Sequence, residues 1–158
     1  MPRIKLDNID LKILKSLQED GRITNVKLAK HAGVSPPPCL RRVRALEDDG
    51  YIDSYHANIN ISKMGYNVTV FAFVSLKIQQ ETDLTAFAKV VDGWPLVRES
   101  YLVAGDTDFI LRIIAKDWEQ YNKFLVNELL TAPNVSNVKS SLGIRSTKHS
   151  HGIPISTE

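Results

Sequence analysis

The chain has 158 residues, 43% of them hydrophobic, with 20 Lys and Arg against 18 Asp and Glu. That length makes one large domain or two small ones, and the apolar share is too high for a disordered chain. A single cysteine, Cys39, excludes an internal disulfide and suits a reducing compartment.

In chain order, Asp7 to Glu19 carries Ile9, Ile13, Leu14 and Leu17 at helical spacing. Asp7 is placed to cap this helix, and Asp20-Gly21 ends it, with Gly21 expected in a left-handed conformation. Thr24 to His31 reads as a short second helix behind an N-cap threonine. Ala32-Gly33-Val34 is a tight turn with positive φ expected at Gly33. Ser35 to Asp49 reads as a third helix. Pro36, Pro37 and Pro38 are expected inside its first turn, where amides have no intrahelical partner. Tyr51 to Ile61 alternates weakly and is expected as an extended strand, with room for a short wing hairpin.

The second half repeats an order of elements. Val68 to Gln79 alternates as a strand, with Val70, Ala72, Val74 and Leu76 on one face and Phe71 and Phe73 on the other. Thr82 to Val91 is helical, Leu96 to Ala104 and Asp108 to Lys116 are strands, Asp117 caps a helix, and Val135 to Arg145 is the last strand. The order β-α-β-β-α-β gives a ferredoxin-like, four-stranded antiparallel sheet with both helices on one face. The other face exposes Phe71 and Phe73, which points to sheet-on-sheet dimerisation. The expected domains are therefore residues 1–52, an extended linker at 53–66, a sheet domain at 67–148 and a tail at 149–158.

Charge decides what the first domain is for. Residues 21–46 hold six Lys or Arg and no Asp or Glu. A basic block alone is more often a solvated face, but this one coincides with a helix–turn–helix pattern, the footprint of a duplex-DNA reader. On a wheel of about 100° per residue, Arg41, Ala45 and Pro38 lie opposite the arc of Cys39, Leu40, Val43, Leu46 and Glu47. Arg41 is then placed for bidentate pairing with guanine. Arg42 and Arg44 flank it toward the phosphates, and Ser35 meets a phosphate at the helix start. Arg22, Pro37 and Pro38 complete the expected DNA contacts. Cys39 reads as a packed core thiol.

These residues together resemble a known family. Leu6-Asp7-x-x-Asp10-x-x-Ile13-Leu14, Asp20-Gly21-Arg22, Leu28-Ala29, Val34-Ser35, Cys39 to Glu47 with Gly50-Tyr51-Ile52, and Val103 to Leu111 are similar to the Lrp/AsnC, or feast/famine, transcriptional regulators. The resemblance covers nearly the whole chain. It implies an α+β protein: a winged helix–turn–helix joined by a strand linker to a ferredoxin-like sandwich of the RAM type. It also implies a homo-oligomer, a dimer assembling into tetramers or octamers, which binds double-stranded DNA and a free amino acid between dimers. Such regulators control genes of amino-acid metabolism or transport. The triple proline departs from the commoner single proline or Ser/Thr mixtures at this helix start.

The resemblance places the effector near Gly105 to Asp108. A turn between strands offers amides to a carboxylate, and Asp106 or Asp108 offers an anion to an ammonium. Gly and Asp are equally ordinary turn formers. Tyr101, Ala104, Thr107, Ser140 and Ser141 are the other residues expected to line the site.

An enzyme is not expected: there is no phosphate-binding glycine loop, nucleophile elbow or zinc-type Cys/His spacing. His149 and His151 are two histidines in a tail and read as solvated. No metal or cofactor is expected beyond an amino-acid effector. A DNA-packing protein without an effector remains an alternative. The amino terminus has no apolar signal region. The longest uncharged apolar stretch, Met64 to Leu76, is too short for a membrane span, which needs roughly 20 residues. The expectation is a soluble, cytoplasmic protein with no membrane partner.

Overall fold

The computed structural model describes residues 5–150 and 152–157 and divides the chain into two compact units. His151 and the first four residues lie outside the described residues. One unit runs to Asn58 and is rejoined by the C-terminal segment from Lys148; the other spans Ile59–Thr147.

The first unit is a three-helix core. Helix α1, Asn8–Glu19, opens on a reciprocal capping box: Asp7 accepts from the Asp10 amide at 2.9 Å, and Asp10 accepts from the Asp7 amide at 3.1 Å. Its end differs from expectation. Gly21 has no positive φ; instead Asp20 is extended, and its carboxylate accepts the Arg22 amide at 2.9 Å. An aspartate side chain that closes its own turn removes the need for a left-handed glycine. Helix α2, Asn25–Ala32, is capped by Thr24 and ends on Gly33 at φ 77°. Helix α3, Pro36–Asp48, starts on the prolines, as the unpaired first-turn amides allow. Ile13, Leu28, Ala29, Ala32, Cys39 and Leu46 form the buried core. Leu40, assigned to the inner arc, is instead 41% exposed.

The chain turns at Gly50, φ 73°, and the amides of Tyr51 and Ile52 both bond to the Leu46 carbonyl. From there to Asn67 no strand is formed among the described residues. The expected strand and wing hairpin do not form, since a strand exists only against a neighbouring strand, and the chain instead folds back in a turn where the amides of Met64 and Tyr66 bond to the Ile61 carbonyl.

The second unit follows the expected order. Strand β1 is Val68–Leu76, helix α4 Glu81–Asp92, strands β2 Val97–Leu102 and β3 Phe109–Ala115, helix α5 Trp118–Phe124, and strand β4 Val135–Leu142. Helix α5 continues into a π-helical turn at Leu125–Leu129. The sheet order is β2-β3-β1-β4, with every pairing antiparallel. Val70, Ala72, Val74, Leu111 and Ile113 face Phe87, Val91, Tyr121, Phe124 and Leu129 in one core. The opposite face presents Phe71, Phe73, Ile110 and Tyr101, which are neighbours through the registers Phe71↔Arg112, Phe73↔Ile110 and Tyr101↔Ile110.

Candidate DNA-reading face and effector loop

Helix α3 exposes most of the residues expected to meet DNA, with Arg42 differently placed. Arg41 and Arg44 are exposed, and neither has a carboxylate partner among the described residues. Arg22, Ser35 and Pro37 are exposed, and Pro38 is half-buried. Arg42 is not free. Its Nη1 lies 2.7 Å from Asp10 Oδ1 and 2.8 Å from Asp7 Oδ2. Asp10 is the one buried charged residue of the chain's described part, and a buried acid needs such a partner. Arg42, expected on a phosphate, is instead found clamping α3 to the amino end of α1 through Nη1. The Asp10 amide first, and then the Arg42 guanidinium, hold the Asp7 carboxyl below the usual aspartate range, against a partial opposing effect of burial.

Ser35 sits at the N-cap of α3 but makes no capping hydrogen bond. A cap hydroxyl accepts from the N2 or N3 amide, and both positions are proline. The first α3 amide is that of Cys39, which bonds to the Ser35 carbonyl at 3.2 Å. The phosphate grip expected at this helix start therefore has only the Ser35 hydroxyl to offer. Asn25 of α2 steadies the turn by donating to the Pro36 carbonyl at 2.8 Å. Burial raises the Cys39 thiol above its usual value, against a smaller lowering by Arg42, consistent with its place in the core.

The loop between β2 and β3 is built by its own side chains. Gly105 takes φ 147°, where only glycine is comfortable. The Val103 amide bonds to Asp108 O at 2.9 Å and closes the loop. Thr107 Oγ1 donates to Val74 O at 2.8 Å, and the Asp108 amide donates to the same carbonyl at 3.0 Å. Asp108 Oδ2 accepts the Leu76 amide at 2.7 Å. Asp108 thus holds the loop to the end of β1, while Asp106, the other residue expected as an ammonium partner, is exposed. Ala104 is exposed, and Tyr101 is exposed with its hydroxyl on Glu99.

Two further residues do not join this loop. Ser140 pairs with Ala72 and Ser141 with Phe71, so they point to opposite faces of the sheet. Ser140 shares a hydrogen bond with the buried Tyr121 hydroxyl on the helix face. Both serines are on β4, at the opposite sheet edge from Tyr101 on β2. Three strand spacings of roughly 4.8 Å are too wide for one small amino acid to bridge. Two large cavities lie elsewhere, in the first unit. One, of about 460 Å³, is lined by Leu6, Leu14, Leu17, Tyr51, Ile52 and Ile155; the other, of about 490 Å³, by Ser16, Asp20, Ile23, Lys27, Lys30 and His31.

The C-terminal segment belongs to this unit. Gln18 grips the Ile153 backbone at both ends, Nε2 donating to its carbonyl at 2.7 Å and Oε1 accepting its amide at 2.9 Å. No periodic pattern marks this anchor in the sequence. No cluster of three or more His, Cys, Asp or Glu able to hold a metal occurs among the described residues, and no described helix is long and apolar enough to cross a membrane.

A family model described as a winged helix-turn-helix DNA-binding domain matches residues 6–53, and one described as an Lrp/AsnC ligand binding domain matches residues 69–153. The chain is 48% identical over 146 residues to a leucine-responsive regulatory protein of Rhizobium meliloti, across 92% of this chain and 94% of the relative. It is 39% identical to the Bkd operon transcriptional regulator of Pseudomonas aeruginosa, across 90% and 93%. Among solved structures, a transcriptional regulator of Neisseria meningitidis in complex with L-Met superposes with a TM-score of 0.90 at 34% identity, over 95% of this chain and 97% of that one.

Proposed function

This chain belongs to the Lrp/AsnC family of DNA-binding transcriptional regulators, and from that premise we propose that it controls genes of amino-acid metabolism or transport in response to a small amino acid. It is a regulator and not an enzyme. The observation that carries the DNA assignment is the pair Arg41 and Arg44, exposed and without acidic partners on the outer face of α3. Arg41 reads guanine in the major groove. Arg44, Arg22 and the Ser35 hydroxyl meet phosphates, and Pro37 and Pro38 line the leading turn.

The effector lies against the Ala104–Asp108 loop, with Asp106 toward its ammonium and loop amides toward its carboxylate. Tyr101 walls one side. The neighbouring structure was solved with L-Met and several relatives are called leucine-responsive, so an amino acid with an apolar side chain is the first class to test. The loop is open on one side, and a second copy of the chain closes it. Dimers form through the Phe71–Phe73 face and assemble further into tetramers or octamers. A DNA reader works where the chromosome is, which places the protein in the cytoplasm.

A thermal-shift titration with the twenty amino acids tests the effector. One at 100 times its dissociation constant stabilises by about 2.7 kcal/mol, and the same one must change DNA affinity or assembly. No response to any would leave a DNA-packing protein without an effector.

A further inference from the structure

The prolines of α3 have a consequence for which bases the helix selects; it rests on the reading of α3 as the DNA-reading helix. An ordinary helix start offers the N–H groups of its first turn, and these grip a phosphate. Here Pro36, Pro37 and Pro38 fill the first three positions, so that turn has no backbone donor at all. The next amide, that of Cys39, is already bonded to Ser35 O. The leading end of α3 is instead a surface of pyrrolidine rings, with Pro37 exposed and Pro38 half-exposed. The turn is also stiff. The rings fix φ, and Asn25 holds the Pro36 carbonyl at 2.8 Å.

The N-terminal residues of a reading helix are the ones that reach base edges. Carbon surface brought to the floor of the major groove finds one matching feature there, the thymine C5-methyl group. Pro38 shares a stripe with Arg41 and Ala45, at i, i+3 and i+7. Three residues advance a helix by about 4.5 Å, against about 3.4 Å per base pair. We infer that Pro37 and Pro38 are specificity-determining residues that select thymine, by packing on its methyl group, within one or two base pairs of the guanine read by Arg41.

The test uses the full chain and the tightest duplex it selects from a randomised library. Thymines of that site are replaced one at a time by deoxyuridine, which removes the methyl and nothing else. Expected is a loss of about fourfold in affinity, the worth of one buried methyl group, at a thymine within two pairs of the guanine protected by Arg41. In the Pro37→Ala, Pro38→Ala double variant the thymine and deoxyuridine duplexes bind alike. Equal affinity of the unaltered protein for both duplexes, or a selected site lacking thymine near that guanine, overturns the inference while leaving the DNA-reading assignment standing. Selection of no preferred sequence at all overturns both.

Discussion

The guanidinium of Arg42 lies 2.7 Å from the carboxylate of Asp10, a residue only 7% exposed. A basic residue in the middle of α3 is thus part of the scaffold. Arg42→Ala leaves Asp10 buried without its cation, and the first unit should lose about 2 kcal/mol of stability. Chemical denaturation of the wild type and the variant measures this. DNA preference, compared at a temperature where both are folded, should be unchanged. An Arg42→Ala protein as stable as wild type, with weaker binding to all duplexes, would return Arg42 to the phosphate contacts.

The same cluster sets an acid limit. Asp7 is held below the usual aspartate value by the Asp10 amide and then by Arg42. A carboxyl lowered in the folded state adds stability that is fully present above its unfolded value, about 3.9. That stability is lost as pH falls below that value and through the folded one. The melting temperature of wild type should therefore drop more steeply below about pH 4 than that of Asp7→Asn, and the two should run parallel at neutral pH. Parallel curves throughout would show that Asp7 is not perturbed.

Asp106 and Asp108 are two residues apart and should separate cleanly. Asp108→Ala removes the acceptor of the Leu76 amide and should destabilise the sheet unit by about 1–2 kcal/mol. Asp106→Ala should melt like wild type but need several-fold more amino acid to reach the same thermal shift. Full effector response in Asp106→Ala would move the ammonium partner elsewhere.

The chain end is held by Gln18, and Gly152 allows it. Gly152 has φ 65°, and a Cβ there would run into the Gln18 side chain. Gly152→Ala should release the segment, so that the Ile153 amide, protected by Gln18 Oε1, exchanges with solvent at a rate near that of unfolded chain. Hydrogen exchange read at that amide decides it. Retained protection in the variant would mean that the grip on Ile153 does not depend on Gly152.

Most of the architecture was legible because each element has its own period. The alternation of Val70, Ala72, Val74 and Leu76 and the helical spacing of Ile9, Ile13 and Leu17 report faces directly. The proline-led start of α3 was legible from the missing amides alone. What escaped depends on contacts between residues far apart in sequence. A wheel puts Arg42 beside Arg41, but only the packing of α1 on α3 shows that Asp7 and Asp10 reach it. Asp108 looks like any turn aspartate until the Leu76 amide is seen on its carboxylate. Ser140 and Ser141 are adjacent in the chain and on opposite sides of the sheet. The grip of Gln18 on Ile153 spans nearly the whole sequence and leaves no local pattern.

The most direct test of the reading face measures affinity for a selected operator and for random duplex across a range of salt, in wild type, Arg41→Ala and Arg44→Ala. Arg41→Ala should lose about 1–3 kcal/mol on the operator and far less on random DNA. Arg44→Ala should lower the log–log salt slope by about 0.9 for each copy that contacts DNA and keep the wild-type preference. Equal losses on both duplexes for the two variants, or affinity that does not respond to salt, would contradict the account.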